Sequence, residues 1–127
     1  MGKFAAICLG GALGTGARYL LSGWALALLG TSFPYGTLLV NILGSFSIGL
    51  IMHLGLSTEM ISPTTRIILT TGVMGGFTTY SSFNYETLRI FQEGSPLKGV
   101  ANILLMVVAC LVAGLLGLAL ARKWAGT

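Results

Sequence analysis

The chain has 127 residues, of which 54% are hydrophobic and only 8% are charged, and its mean hydropathy is +0.89. Soluble domains carry about 25% charged residues, so this chain has too little charge to cover a surface exposed to water. The formal net charge of +4 comes from scattered basic residues and not from a basic patch, which argues against nucleic-acid binding. The composition therefore predicts a small integral membrane protein.

Four apolar runs are long enough to cross a bilayer, which takes about 20 mostly apolar residues. They cover approximately residues 4–29, 36–56, 66–91 and 99–121. All three prolines lie in the breaks between these runs, where a missing backbone N–H does no harm. The sequence therefore predicts an all-α membrane protein with four transmembrane helices in a single domain over residues 1–127.

The basic residues that flank these runs give only a weak orientation signal. With the amino terminus in the cytoplasm, the cytoplasmic side carries Lys3, Arg66, Arg122 and Lys123, and the opposite side carries Arg89 and Lys98. Topology follows the excess of Lys and Arg in short loops, so four against two is a thin bias. Insertion in both orientations is therefore feasible, and oppositely inserted chains can pair antiparallel. Four short helices leave little room for a water-filled path, so we expect function to need at least a dimer.

The first two runs each contain a polar residue whose burial in lipid would be costly, and such residues point to function. Arg18 lies deep in the first run, where it either attracts anions or is snorkelled or paired with a glutamate. Asn41 lies early in the second run, where its amide either donates to an anion or hydrogen-bonds to another helix.

Small residues four apart recur in several runs and predict close helix packing, either within one chain or between chains. They include Gly10 and Gly14, Ser45 and Gly49, Gly72 and Gly76, and the series Ala109, Ala113, Gly117 and Ala121.

The third run holds the pair Gly75-Gly76 followed by hydroxyl residues, and this predicts a helix broken in mid-span at the glycine pair. Backbone that is not helical at membrane depth must be buried in protein or line a cavity, and its freed carbonyl oxygens suit an alkali cation. A continuous helix kinked at glycine is the alternative. Tyr80 and Phe83 share a face, where their electropositive ring edges either meet an anion or simply pack together.

In the fourth run Asn102, Met106 and Cys110 follow one another at four-residue intervals and form a mildly polar stripe, a weak indication of a pore lining. The chain has one His, two distant Cys and no Asp, so it cannot build a transition-metal site or a catalytic triad. We therefore predict that it is not an enzyme.

Together these residues resemble the Fluc (CrcB) family of fluoride channels over nearly the whole chain. Three stretches carry the resemblance in the family's order, namely residues 10–19 (GGALGTGARY), 36–46 (GTLLVNILGSF) and 72–83 (GVMGGFTTYSSF). The resemblance implies a fluoride-selective channel that passively exports cytoplasmic fluoride. It also implies a dual-topology, antiparallel homodimer with two pores, surrounded by the lipid of a bacterial inner membrane.

The same resemblance implies roles for individual residues. A structural sodium ion, which is not transported, would lie at the dimer centre on backbone carbonyls of Gly75 and Thr78. Arg18 would form an anion vestibule. The fluoride pore would be lined by Asn41, Tyr80, Ser81, Ser82, Phe83, Asn102, Met106 and Cys110. Two positions depart from the family pattern, because Tyr80 replaces a commoner Phe and Met106 a commoner Ser or Thr.

Two other functions fit a short membrane chain of this kind. An exporter of the small multidrug resistance kind has a similar length and charge bias, but it relies on an acidic residue in the first span, where this chain has Arg18 and no Glu. A non-transporting membrane scaffold is the other, although it has no need of Arg18 and Asn41 within its spans.

Overall fold

The computed structural model describes all 127 residues, which form helices and connecting turns without any β-strand. The chain begins with two long helices, α1 (Gly2–Leu29) and α2 (Tyr35–Leu56). The third run then forms α3 (Pro63–Ile67), a π-helical segment (Ile68–Met74), α4 (Gly75–Phe77) and α5 (Tyr80–Gln92). The chain ends with the long helix α6 (Pro96–Ala125).

Three helices, α1, α2 and α6, are long and apolar enough to cross a membrane. Many of their large apolar side chains are exposed, among them Leu13, Leu20 and Leu115. Contiguous apolar surface of this extent is rare on soluble monomers and marks contact with membrane or protein. These surfaces therefore have to be covered by lipid or by other protein.

Helix α1 packs backbone to backbone against the π-helical segment and α4. A Cβ added at Gly14 would collide with the carbonyl oxygen of Val73, and one added at Gly76 would collide with the carbonyl oxygen of Gly11. Small residues allow this close approach of helices. These glycines therefore make packing contacts within one chain, which is one of the two roles predicted for them.

Helices α2 and α6 pack in the same manner. A Cβ at Gly49 would collide with the carbonyl oxygen of Gly114, and one at Gly117 with that of Phe46. Helix α5 lies against α6 and also touches α2. This arrangement places the start of α5 beside both long helices.

The third run is interrupted at Thr78 and Thr79, and this corrects the position predicted from the glycine pair. Both threonines have extended backbone, with φ −86° and ψ 159° at Thr78 and φ −151° and ψ 114° at Thr79. Gly75 and Gly76 are helical, and Gly76 serves the close approach of α1. The glycines thus mark a packing contact, and the hydroxyl residues after them form the interruption.

Candidate functional site

A cavity of about 950 Å³ opens where α2, α6 and the start of α5 meet. Its walls are mostly apolar, and six of the predicted site residues line it: Asn41, Thr78, Tyr80, Phe83, Met106 and Cys110. These residues come from three separate segments of the chain, so only the folded molecule brings them together.

Asn41 binds the interruption in the third run with both ends of its amide. Its Nδ2 donates to the carbonyl oxygen of Thr79 at 2.9 Å, and its Oδ1 accepts from the backbone N–H of Thr79 at 2.8 Å. Buried backbone groups need such partners, and here a side chain from α2 replaces the partners that a continuous helix would supply. Asn41 therefore makes the interhelical hydrogen bond that was the alternative to an anion contact.

The remaining contact of the Asn41 amide is a weak one. Nδ2 also lies 3.6 Å from Sδ of Met106, and Sγ of Cys110 lies 3.7 Å from the same sulfur. A thioether is a poor hydrogen-bond acceptor. An anion in the cavity would therefore compete easily with Met106 for this N–H.

The carbonyl oxygens of Gly75 and Thr78 lack their helical donors. In an α-helix the carbonyl of residue i accepts from the N–H of residue i+4. The N–H of Thr79 instead donates to Asn41, and the N–H of Ser82 donates to Oγ1 of Thr79 at 3.2 Å. None of the backbone hydrogen bonds in the turns and caps ends on either carbonyl. Both carbonyls thus keep the capacity to bind a hard cation.

Tyr80 and Phe83 pack edge to face, with ring centroids 5.8 Å apart and planes at 65°. The two rings differ strongly in environment, since Phe83 is 8% exposed and Tyr80 is 77% exposed. Edge-to-face packing uses the electropositive ring edge that an anion would also contact. The pair therefore makes the packing contact that was one alternative, while both rings remain on the cavity wall.

Three further predicted pore residues lie outside the cavity wall. Ser81 is exposed, and Oγ of Ser82 accepts a hydrogen bond of 3.0 Å from the Thr79 hydroxyl, which caps α5. Asn102 is fully buried and binds Thr87 between α5 and α6. Of the predicted stripe on α6, only Met106 and Cys110 reach the cavity.

Arg18 is half-buried on α1 and forms neither a hydrogen bond nor an ion pair within the chain. The chain's one ion pair joins Arg89 and Glu93. Pairing of Arg18 with a glutamate of the same chain is therefore excluded by the structure.

A polar contact between α2 and α5 was not predicted from the sequence. Oγ1 of Thr37 donates to Oε1 of Glu86 at 2.7 Å, and Oε2 of Glu86 is buried without a partner. Both residues line a second cavity of about 320 Å³ at the other end of α5. Glu86 is the only acidic residue inside a predicted span, and this signal could have identified it.

The fold and the cavity define a multi-pass α-helical membrane protein whose few polar groups meet between its helices. The model of one protein family, described as CrcB-like protein, Camphor Resistance (CrcB), matches residues 5–118. The chain therefore belongs to the CrcB family, which confirms the resemblance seen in its motifs.

Several relatives are similar over nearly their full length, and each is named fluoride-specific ion channel FluC. The relative from Sorangium cellulosum is 56% identical over 117 residues, which cover 92% of each chain. The one from Anaeromyxobacter sp. (strain K) is 52% identical over 126 residues, or 99% of this chain and 100% of the relative. The one from Trichlorobacter lovleyi is 50% identical over 121 residues, or 95% and 94% of the two chains.

Proposed function

We propose that this chain is a fluoride-selective anion channel through which cytoplasmic fluoride leaves the cell passively. The observation that carries the proposal is the 50–56% identity, over at least nine tenths of the chain, to relatives named as fluoride-specific ion channels. A channel needs no catalytic group, in agreement with the prediction that the chain is not an enzyme. Membership of this family favours neither a multidrug exporter nor a scaffold.

Passive export suffices because the membrane potential supplies the driving force. Fluoride enters from acidic surroundings as neutral HF, dissociates in the more alkaline cytoplasm and is trapped there as the anion. A negative-inside potential favours its exit by about 2.3 kcal/mol per charge per 100 mV. An open anion-selective path thereby lowers cytoplasmic fluoride and its toxicity.

The path proposed for fluoride follows the cavity between α2, α5 and α6. Asn41 would exchange its weak contact with Met106 for the anion, and the ring edges of Tyr80 and Phe83 would border the path. Cys110 continues the wall along α6. Ion conduction needs binding that is favourable for entry yet weak enough for exit, and several weak donors meet that need better than a fixed charge.

Two kinds of polar residue outside the cavity would assist the path. Arg18 has no partner within the chain, so its charge would attract anions to a vestibule. The hydroxyls of Ser81 and Ser82, at the start of α5, lie next to Tyr80 in the chain and would offer donors to an approaching anion. Asn102 is buried and lies outside the cavity wall.

The channel would be an antiparallel homodimer with two pores in the bacterial plasma membrane. The third run, α3 to α5, would also cross the membrane, as a broken span in addition to α1, α2 and α6. The weak charge bias permits both orientations, and the exposed apolar surface of α1, α2 and α6 offers area for a second copy as well as for lipid.

A structural sodium ion at the dimer centre fits the interruption. The carbonyl oxygens of Gly75 and Thr78 lack helical donors, and hard oxygen ligands of this kind suit an alkali cation. Two carbonyls from each of two chains would provide four ligands. When bound, the ion would neutralise the converging carbonyl dipoles and join the two chains, without being transported.

Purified protein in liposomes tests this function. Vesicles loaded with potassium fluoride in sodium-containing buffer should release fluoride rapidly once valinomycin lets potassium leave with it and so balances the charge. The release of chloride in the same assay should be negligible. Exchange of a cationic drug for protons would instead indicate an exporter, and no transport at all would indicate a scaffold. Either result would overturn the proposal.

A further inference from the structure

Three buried residues follow one another at four-residue intervals: Thr79, which is the N-cap residue of α5, and Phe83 and Thr87 within the helix. The spacing places Phe83 and Thr87 on one face of the helix, and Thr79 immediately precedes its first turn. Phe83, whose ring lies on the cavity wall, is therefore one turn away from a threonine on either side.

Two asparagines from the neighbouring helices form hydrogen bonds with Thr79 and Thr87. Asn41 of α2 binds the backbone of Thr79, as described above. Asn102 of α6 donates from Nδ2 to Oγ1 of Thr87 at 2.9 Å, and that hydroxyl donates to the carbonyl oxygen of Phe83 at 2.7 Å. Phe83 thus lies between two amide anchors that fix α5 to different helices.

The Thr87 hydroxyl takes part in both hydrogen bonds, one within α5 and one to α6. The single proton of the Thr87 hydroxyl goes to Phe83, so its oxygen can only accept a bond from α6. The Asn102 amide accordingly turns its NH₂ toward Thr87, and its Oδ1 is left buried without a donor. An unpartnered buried acceptor is unfavourable. Thr87 is thus the one hydrogen-bond partner of the Asn102 side chain.

We infer that Thr87 and Asn102 are positioning residues, which fix the rotation of α5 against α6 and hold the Phe83 ring on the wall of the anion path. Neither residue lines the cavity, so on the proposed path neither would contact the anion. This inference rests on the proposed function, and it gives Asn102 a role different from the pore contact expected from the sequence.

Replacing the Thr87 hydroxyl tests the inference. Thr87→Val removes both hydrogen bonds with little change in shape, whereas Thr87→Ser keeps the hydroxyl. Thr70→Val is a matched control, because Oγ1 of Thr70 donates to the carbonyl of Arg66 at 2.8 Å but receives no side-chain donor. Vesicles with about one channel each separate two quantities: the fraction that releases fluoride reports folded protein, and the release rate reports conduction.

We expect Thr87→Val to slow fluoride release by about tenfold or more without changing the active fraction, since small misplacements of a functional group have effects of this size. The release rates of Thr87→Ser and Thr70→Val should stay within about twofold of the parent rate. Loss of a single hydrogen bond would have a larger effect than this. The inference fails if Thr87→Val conducts at the parent rate, if only its active fraction falls, or if Thr87→Ser is equally slow.

A double variant separates positioning from direct anion contact. If the two residues act as a unit, Asn102→Leu combined with Thr87→Val should be no slower than either single variant, because coupled residues are not additive. Multiplied losses would mean that Asn102 contacts the anion by itself and would overturn the inference.

A readout independent of transport separates this inference from the proposed function. If the parent protein releases no fluoride, the proposed function fails, whereas the position of Phe83 can still be followed by ¹⁹F NMR of 4-fluorophenylalanine, assigned through Phe83→Leu. A resonance that moves in Thr87→Val but not in Thr70→Val supports the positioning role. An unmoved resonance contradicts it.

Discussion

Most of the hydrogen-bonding capacity of the Asn41 amide is used within the protein, and only a part of it faces the cavity. Two strong hydrogen bonds hold the backbone of Thr79, and one weak contact reaches Met106. The residue therefore shapes the interruption and, on the proposed path, would also offer a donor to an anion. A substitution at this position changes both properties.

Asn41→Asp should reduce fluoride release by at least about tenfold, because an added negative charge a few ångströms from the path repels the anion. The carboxylate also cannot donate to the carbonyl of Thr79. A fluoride electrode measures the release from liposomes. Asn84→Asp is the matched control on the exposed side of α5 and should conduct like the parent. Normal release by Asn41→Asp would remove Asn41 from the path.

Phe83→Ile should leave a folded dimer that conducts no measurable fluoride, since an aliphatic side chain has no electropositive edge. Gel filtration and fluoride efflux measure the two properties. Tyr80→Phe is the control, because it keeps the ring edge and removes a hydroxyl that makes no hydrogen bond within the chain, so it should conduct. Undiminished flux through Phe83→Ile would rule out contact of the anion with the ring edge.

The polarity of Asn41 within an apolar run, the face that Phe83 shares with Tyr80 and the four-residue stripe that contains Met106 were enough to select these residues, which the fold then brings to one cavity. The hydrogen-bond partners of buried polar side chains could not be predicted from these patterns. Thr37 and Glu86 are 49 residues apart in the chain, and their contact exists only after α2 and α5 pack together. The burial of Asn102 likewise depends on the angle between α5 and α6, which periodicity does not determine.

At the scale of elements, the interruption of the third run shows what local pattern can and cannot locate. The unusual composition around Gly75-Gly76 indicated that this run is not a regular helix. The position of the interruption depends on Asn41, which lies 38 residues before Thr79 in the chain and forms hydrogen bonds with its backbone. The glycines are required by the approach of α1, a contact between distant segments, and the π-helical segment, which was not predicted, lies at the same contact.

The packing of α1 on the third run can be tested with two glycines of the same helix. Gly14→Ala should lower the free energy of unfolding by about 1–3 kcal/mol, because the new methyl group meets the carbonyl of Val73. Gly16→Ala meets nothing within 4 Å and should be neutral or stabilising by up to about 1 kcal/mol. Denaturant titration in detergent measures both. Equal stability of the two variants would contradict the close packing.

At the scale of the whole molecule, the apolar surface of a single chain is far from covered. The sequence predicted this general character well, because the lengths and hydropathy of its runs reflect the thickness of a bilayer. Pairing of two chains follows from properties of their joint surface, which one chain does not contain. The antiparallel dimer and its sodium ion therefore stand as proposals, supported by the weak charge bias and by the free carbonyls of Gly75 and Thr78.

Removing sodium tests both parts of that assembly. Protein purified and assayed with N-methyl-D-glucamine in place of sodium, and with potassium retained for valinomycin, should lose most of its fluoride release. Adding sodium back should restore it, because the carbonyls at the interruption would regain their cation. The same rate with and without sodium would contradict a structural role for the ion.

Selectivity for fluoride is measured most directly as a reversal potential in a planar bilayer that contains the purified chain. With a tenfold gradient of fluoride and equal chloride on both sides, a fluoride-selective channel should reverse near the fluoride equilibrium potential, about 59 mV for one charge at 25 °C. Reversal near zero would mean that chloride passes as readily as fluoride, and it would contradict a fluoride-selective path through this protein.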